Sequence, residues 1–281
     1  MLATPFEKIK KTLSNKISLE SLNLIPEKWE KIGDILIIKL NKNLHDHSKI
    51  IGETYCEILN CKTALNDIGG ITGIYREPKI EVIYGSSDTE TIHIENGIRY
   101  KLDAQKIMFS SGNMDERIRM ANISKKKETI VDLFAGVGYF TLPIAVYSKP
   151  KKIMSCEINP IAYDYLCKNI ALNHVASTVE PLLGDNRKIA PKNIAERVIM
   201  GYFNENEMFL PTAFGCLKNN TGIIHYHDIC PDSITPEKSL KKIKKSADKY
   251  KIKIDLLKFK VIKSYAPGIS HIVLDIRVDN L

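Results

Sequence analysis

The chain has no uninterrupted apolar run near the roughly 18 to 20 residues that a membrane-crossing helix needs. Its opening residues, MLATPFEKIKKTL, are too charged for a secretory signal. The two absences lead to the expectation of a cytoplasmic protein with no membrane partner. Cysteine is sparse and scattered: Cys56, Cys61, Cys156, Cys167, Cys216 and Cys230 form no Cys-x-x-Cys pair and no Cys/His spacing of a zinc site. Reduced thiols and no metal are expected. Tryptophan occurs once, at Trp29, read as a packing anchor. A glycine-rich loop followed by Lys-Ser/Thr is also missing, which excludes that route to binding a triphosphate.

Positive charge is what the chain has in excess. Over 281 residues the formal net charge is +8 and the pI near 9.0, with an ordinary hydrophobic fraction of 44%. An anionic partner follows, nucleic acid foremost.

The organising stretch is residues 129–143, in which Thr129-Ile130-Val131-Asp132 runs into Leu133-Phe134-Ala135-Gly136-Val137-Gly138. It reads as strand, tight turn and helix. Gly136 and Gly138 permit close approach of backbone and ligand, and a following helix N-terminus offers unpaired N–H groups. The spacing departs from G-x-G-x-x-G because Thr141 stands in the third position, so a cofactor without phosphates fits better than a dinucleotide. The next strand ends in Glu157, an acceptor-only side chain suited to two ribose hydroxyls. Asp185-Asn186 follows a third strand and is read as standing beside an adenine, Asp185 accepting from its amino group. Helix capping is the plain alternative for Asp132 and Asp185, and an exposed acid for Glu157.

Strands expected at 129–134, 151–156, 178–183, 196–201 and 221–226 alternate with helices at 138–149, 160–173, 188–194 and 205–219. That alternation predicts an α/β fold with a mostly parallel, doubly wound sheet and its ligand at the carboxyl ends of the strands. A charged helix from Thr235 to about Lys249, with the run Lys241-Lys242-Ile243-Lys244-Lys245, precedes an antiparallel hairpin at the sheet edge, residues 254–262 and 270–278. Residues 1–103 read as a separate N-terminal α+β module. It should contain an amphipathic helix within the first 20 residues and a strand introduced by Gly33-Asp34. A helical stretch from Leu44 to Ile68 ended by Gly69-Gly70 should follow, then a hairpin about Asn96-Gly97. Residues 104–281 form the second domain, which begins with a helix that Asn113 is expected to cap. Arg117 and Arg119 lie two apart on that helix, so at most one faces a given ligand.

The motifs Arg76-Glu77-Pro78, Glu95-Asn96-Gly97, Met108 to Asn113, Glu116-Arg117, Asp132 to Gly136, Glu157 to Pro160, Gly184 to Arg187 and Tyr265 to Gly268 together resemble a known family. They look like the class I S-adenosylmethionine enzymes that modify the base beside the tRNA anticodon. Within them the chain resembles the archaeal tRNA wybutosine-synthesizing protein 2 group, sister to the tRNA guanine-37 N1-methyltransferases. Where the methyltransferases carry an Asn-Leu-Pro or Asn-Pro-Pro motif, this chain has Met200-Gly201-Tyr202. The resemblance implies a class I methyltransferase-like (Rossmann-like) catalytic domain with S-adenosyl-L-methionine as co-substrate. The activity implied is transfer of its 3-amino-3-carboxypropyl group to C7 of 4-demethylwyosine at position 37 of tRNA-Phe, with no DNA and no obligate protein partner. It implies cofactor contacts from Asp132, Phe134, Ala135, Gly136, Glu157, Asp185 and Asn186. Arg117 or Ser110 would hold the amino-acid tail, and Asp185 could accept a proton. Tyr202, His225 and His227 would line the base pocket. Lys106, Arg117, Lys125 to Lys127, Arg187 and Lys263 would supply basic RNA contacts. The rivals are the N1-methyltransferase activity and a non-catalytic RNA-binding protein on the same sheet.

Overall fold

Thr4 accepts the Glu7 amide while Glu7 reaches back to the Thr4 amide, and this reciprocal cap starts helix α1 (Pro5–Leu13). In the computed structural model, which describes residues 3–203 and 205–280, Ile9 and Leu13 are fully buried on one face of α1. The chain divides into two compact units, Met1–Ser111 and Gly112–Leu281.

In the first unit a short turn of helix, α2 (Leu19–Leu22), leads to strands β1 (Trp29–Ile32) and β2 (Ile35–Ile38). These pair antiparallel across Gly33-Asp34, so that dipeptide is a hairpin turn rather than only the start of a strand. Gly33 has φ +58, and a Cβ there would meet the Thr91 hydroxyl at 2.1 Å. The helix expected over 44–68 is shorter. A 3-10 segment at Lys42–His47 precedes α3 (Ser48–Leu59), which ends because Asn60 turns left-handed at φ 53. The following residues form β3 (Thr63–Thr72), parallel to β2, and β4 (Glu77–Gly85) returns beside it. Gly69 and Gly70 lie inside β3 where the register shifts, and both amides donate to Asp67 Oδ1. β5 (Glu90–Glu95) and β6 (Ile98–Asp103) form the hairpin that Asn96-Gly97 announces, with both turn residues at positive φ. The core joins α1 and α3 to one face of the four-stranded sheet.

The second unit opens with α4 (Met114–Met120); Asn113 holds the cap position but its side chain makes no capping bond. Strand β7 (Thr129–Asp132) is followed by α5 (Thr141–Pro143) and a wider π turn at Ile144–Ser148. The regular helix expected over 138–149 is broken into α5 and this π turn, with Pro143, which has no N–H to donate, at the junction. Next come β8 (Lys152–Glu157), α6 (Pro160–Leu172), β9 (Val179–Leu183), α7 (Asn186–Ile189), β10 (Arg197–Met200) and α8 (Leu210–Cys216). The helix expected over 205–219 is a 3-10 turn, Asn206–Phe209, followed by α8 alone. β11 (Gly222–Pro231), α9 (Glu237–Lys249), β12 (Ile252–Ala266) and β13 (Ile269–Asn280) complete the chain.

The sheet runs β12-β13-β11-β10-β7-β8-β9, parallel from β11 to β9, with the β12/β13 hairpin at one edge. Such a sheet is covered on both faces, which is why Val198, Ile199 and Met200 of β10 are all fully buried without alternation. The chain enters at β7, winds outward to β9 and crosses back to β10. The ends of β7 and β10 therefore flank the point where strand order reverses, the place where such sheets bind ligands.

Trp29 packs edge-on to Tyr55 at 6.0 Å, and the Tyr55 hydroxyl donates to Pro26 O at 2.5 Å, so the single tryptophan reports on the first unit. Leu13→Ala, at a fully buried position, should destabilise that unit by about 2–5 kcal/mol in urea unfolding followed by Trp29 emission. Leu19→Ala, at a position 73% exposed, should change it by less than about 0.5 kcal/mol.

Candidate active site at the strand ends

Beyond β7 the backbone is woven to its neighbours: the Leu133 amide donates to Ile199 O, and the Ala135 amide to Cys156 O at 2.9 Å. Asp132 lies beneath this turn, fully buried. Its carboxylate accepts the Thr141 hydroxyl at 2.8 Å and the Phe134 amide at 3.2 Å, and Thr141 also meets Ser155 at 2.9 Å. Burial pushes the Asp132 carboxyl up to about 6 despite those two donors. Gly136 and Gly138 have φ +57 and +103, and a Cβ would strike the Tyr139 ring at 2.3 Å or the Leu142 side chain at 2.6 Å. Their glycine character is thus demanded by the turn's own conformation and packing.

Glu157 closes the turn from the end of β8. One carboxylate oxygen accepts the Gly136 amide and the other the Asn159 amide, both at 2.7 Å, while burial raises its pKa. From the end of β9, Asn186 Nδ2 donates to Leu133 O at 2.8 Å, and Asn186 Oδ1 is buried with no hydrogen-bond partner. Asp185 caps α7 and takes the Arg187 guanidinium on both oxygens, at 2.9 and 2.5 Å. That pairing lowers its pKa, which keeps Asp185 ionised and acceptor-only beside the end of β9.

Aromatic rings cluster beyond the ends of β7 and β10. Phe134 and Tyr202 stack at 5.2 Å and 20°, Phe209 meets Phe134 edge-on at 4.9 Å, and the Arg187 guanidinium lies 5.5 Å from the Phe209 ring. The structure thus brings Asp132, Phe134, Ala135, Gly136, Glu157, Asp185, Asn186 and Tyr202 to one end of the sheet. Phe209 was not foreseen; nothing in its local sequence separates it from an ordinary core aromatic.

Arg117 is buried on α4, and Ser110 is half-buried at the end of the first unit. Arg119, two residues on, belongs to a chain of buried charges. It meets Glu116 at 2.6 Å and Asp275 at 2.7 Å. His225 Nδ1 lies 2.6 Å from Asp275, and its Nε2 lies 2.8 Å from an Arg197 nitrogen, while Arg197 reaches Glu128 at 3.0 Å. Arginine can only donate, so His225 accepts at Nε2 and donates at Nδ1 as a neutral ring. Burial lowers its pKa in spite of Asp275. His227, fully buried, meets His271 at 3.2 Å, and burial lowers it to about 3. Both histidines are packed within the sheet's buried polar groups. Among the described residues no group of three or more His, Cys, Asp and Glu is arranged to hold a metal ion, and no helix is long and apolar enough to cross a membrane.

A parallel sheet whose strand order reverses, with an acidic residue at the end of its second strand clamped on a glycine turn, is the frame of a Rossmann-like nucleoside-binding fold. The comparisons narrow this. Residues 91–255 match the TRM5/TYW2 methyltransferase domain, and residues 9–89 match the TYW2 N-terminal domain. The chain belongs to the TRM5/TYW2 family. It is 42% identical over 271 residues, covering 96% of each chain, to the tRNA(Phe) (4-demethylwyosine(37)-C(7)) aminocarboxypropyltransferase of Pyrococcus horikoshii. The crystal structure of P. horikoshii TYW2 in complex with MeSAdo superposes with a TM-score of 0.88 at 39% identity, covering 98% of this chain and all of that one. The aTrm5 of a complex with tRNALeu superposes at 0.85 and 30% identity, covering 99% of this chain and 80% of that one.

Asp132 yields a signed pH test. Its folded value of about 6 lies above the ~3.9 of an unfolded aspartate, so between those values the folded chain keeps a proton that the unfolded chain has lost. The group's contribution to stability therefore falls as pH rises from about 4 to about 6, by up to about 3 kcal/mol, and stays low above. His227 acts oppositely, costing stability as pH falls below about 6.5. The difference between wild type and Asp132→Asn in urea midpoint against pH should isolate the first effect: the variant gains relative to wild type between pH 4 and 6.

Proposed function

We propose that this protein transfers the 3-amino-3-carboxypropyl group of S-adenosyl-L-methionine to C7 of 4-demethylwyosine at position 37 of tRNA-Phe, in the cytoplasm. In the reaction C7 attacks the carboxypropyl carbon, the C–S bond breaks with its electrons left on sulfur, the C7 proton passes to water, and methylthioadenosine is released. The observation that carries the reading is the 42% identity, over nearly the whole of both chains, to a relative named for that transfer.

The residues at the strand ends fit the co-substrate. Glu157, held in place by two backbone amides, has lone pairs left for ribose hydroxyls. Asp185 and the partnerless Asn186 Oδ1 are acceptors suited to an adenine amino group. Phe134, Ala135 and Gly136 form the turn beside them, and Asp132 supports that turn from below. Bound there, the sulfonium offers three electrophilic carbons. Which one reacts is a matter of positioning, and we assign that task to Arg117 or Ser110, acting on the amino-acid tail. Tyr202, stacked on Phe134, is assigned to the wall of the base pocket, in the place where the methyltransferases resembled carry an asparagine motif. The N-terminal module, 1–103, is assigned to RNA binding, together with Lys106, Lys125 to Lys127, Arg187 and Lys263.

S-adenosylmethionine labelled separately in its methyl and carboxyl positions, incubated with tRNA bearing the tricyclic base, tests the reading. The carboxyl label should enter RNA with a mass gain of about 101 Da; a gain of about 14 Da with the methyl label would establish the methyltransferase instead. Glu157→Gln should weaken co-substrate affinity roughly 10- to 100-fold by removing charge-assisted bonds to the ribose.

A further inference from the structure

Helix α9 carries more positive charge than its packing uses. Ser239, Ile243 and Ala247 form its buried stripe. On its flank Lys242 is paired, 3.2 Å from Asp228 and 3.4 Å from Glu207. On the opposite side Lys238, Lys241, Lys245 and Lys249 recur at intervals of three and four, all exposed. Among the described residues none of these four has an ion-pair partner. Residues 237–253 hold eight lysines against two acids, a net +6 of the chain's +8, so the remainder is close to neutral.

Like charges one turn apart weaken a helix, and a polyanion laid along this row relieves that repulsion. Its length selects the partner. Eleven residues at about 1.5 Å each span ~16 Å, about twice the ~8 Å screening length at physiological salt. A small anion meets one or two such charges, whereas a polyanion meets all four. The apolar side of α9 is spent on the core, which leaves nothing on the outer side to enter a lipid surface. The helix is also tied to the element that carries Phe209. The Lys242–Glu207 pair ties α9 to the 3-10 turn Asn206–Phe209, whose Phe209 packs against Phe134.

We propose that the lysine row of α9 binds the sugar-phosphate backbone of the substrate tRNA, holding RNA that extends from the site along this face. The inference rests on the tRNA-modifying reading above and names a surface through which the substrate is gripped. Recognition here is sequence-independent and depends on salt, since each phosphate neutralised releases counterions.

The test compares wild type with Lys238→Gln/Lys241→Gln/Lys245→Gln/Lys249→Gln, in which glutamine keeps helix propensity. A second variant, Lys149→Gln/Lys151→Gln/Lys192→Gln/Lys218→Gln, removes the same charge at the amino ends of the strands. Binding of an unmodified tRNA-Phe transcript is measured against potassium chloride concentration, and methylthioadenosine binding checks the fold. The row variant should bind at least about tenfold more weakly at 0.1 M salt, with the log–log salt slope reduced by about 2 to 4; the second variant should lose less than about 1. Equal losses in both variants would overturn the proposal, as would an unchanged slope in the row variant, or wild-type binding to phosphatidylserine vesicles but not to tRNA. Because no transfer is required, a protein that moves no carboxypropyl group yet loses RNA affinity through this row would refute the reading and leave the inference standing.

Discussion

The site depends on one interaction, the clamp of the Glu157 carboxylate on the amides of Gly136 and Asn159. It joins the end of β8 to the glycine turn after β7 and fixes where the acid's remaining lone pairs point. A freely rotating glutamate would have to be ordered when ligand arrives; one held by two backbone donors has already met that cost. Asp132 does the same work from underneath, through Thr141 and Phe134, and Asn186 bridges from β9 to Leu133 O. Three acidic or amide side chains thus hold the irregular backbone at the sheet's open end, where no ladder satisfies it.

A second constraint acts through α4. Its Glu116 and Arg119 are tied to Asp275 of β13, and through His225 and Arg197 to Glu128. Breaking one member of such a buried set costs several kcal/mol, because its partner is left charged and dry. The helix is therefore anchored to strands on both sides of β11, and Arg117, on the same two turns, inherits a fixed place relative to the sheet. Fixed placement is what a transferase needs if it is to present one carbon of a sulfonium rather than another.

Much of this was legible in the residues. Asn96-Gly97 specified a hairpin because few other pairs accept positive φ twice, and the β-α alternation from Thr129 specified the sheet. The acids at successive strand ends were legible as neighbours, since parallel strands bring their carboxyl ends together. What escaped has physical reasons. Gly33-Asp34 closes a hairpin because Thr91 and His93, about sixty residues on, receive it. The helix after Leu44 yields to β3 because pairing with β2 outweighs local helical periodicity. Arg119 and His225 looked like a solvated face and a pocket wall; their charged partners, Glu116 apart, lie 28 to 156 positions distant, beyond any local pattern.

The central claim is that the turn and the acid are set before any ligand arrives. Amide hydrogen exchange of the ligand-free protein tests it at Gly136 and Asn159. Both amides should be strongly protected, and in Glu157→Ala both should exchange much faster while Val131 in the neighbouring strand is unchanged. Exchange of both in the wild type at the rate of an open loop would contradict the account.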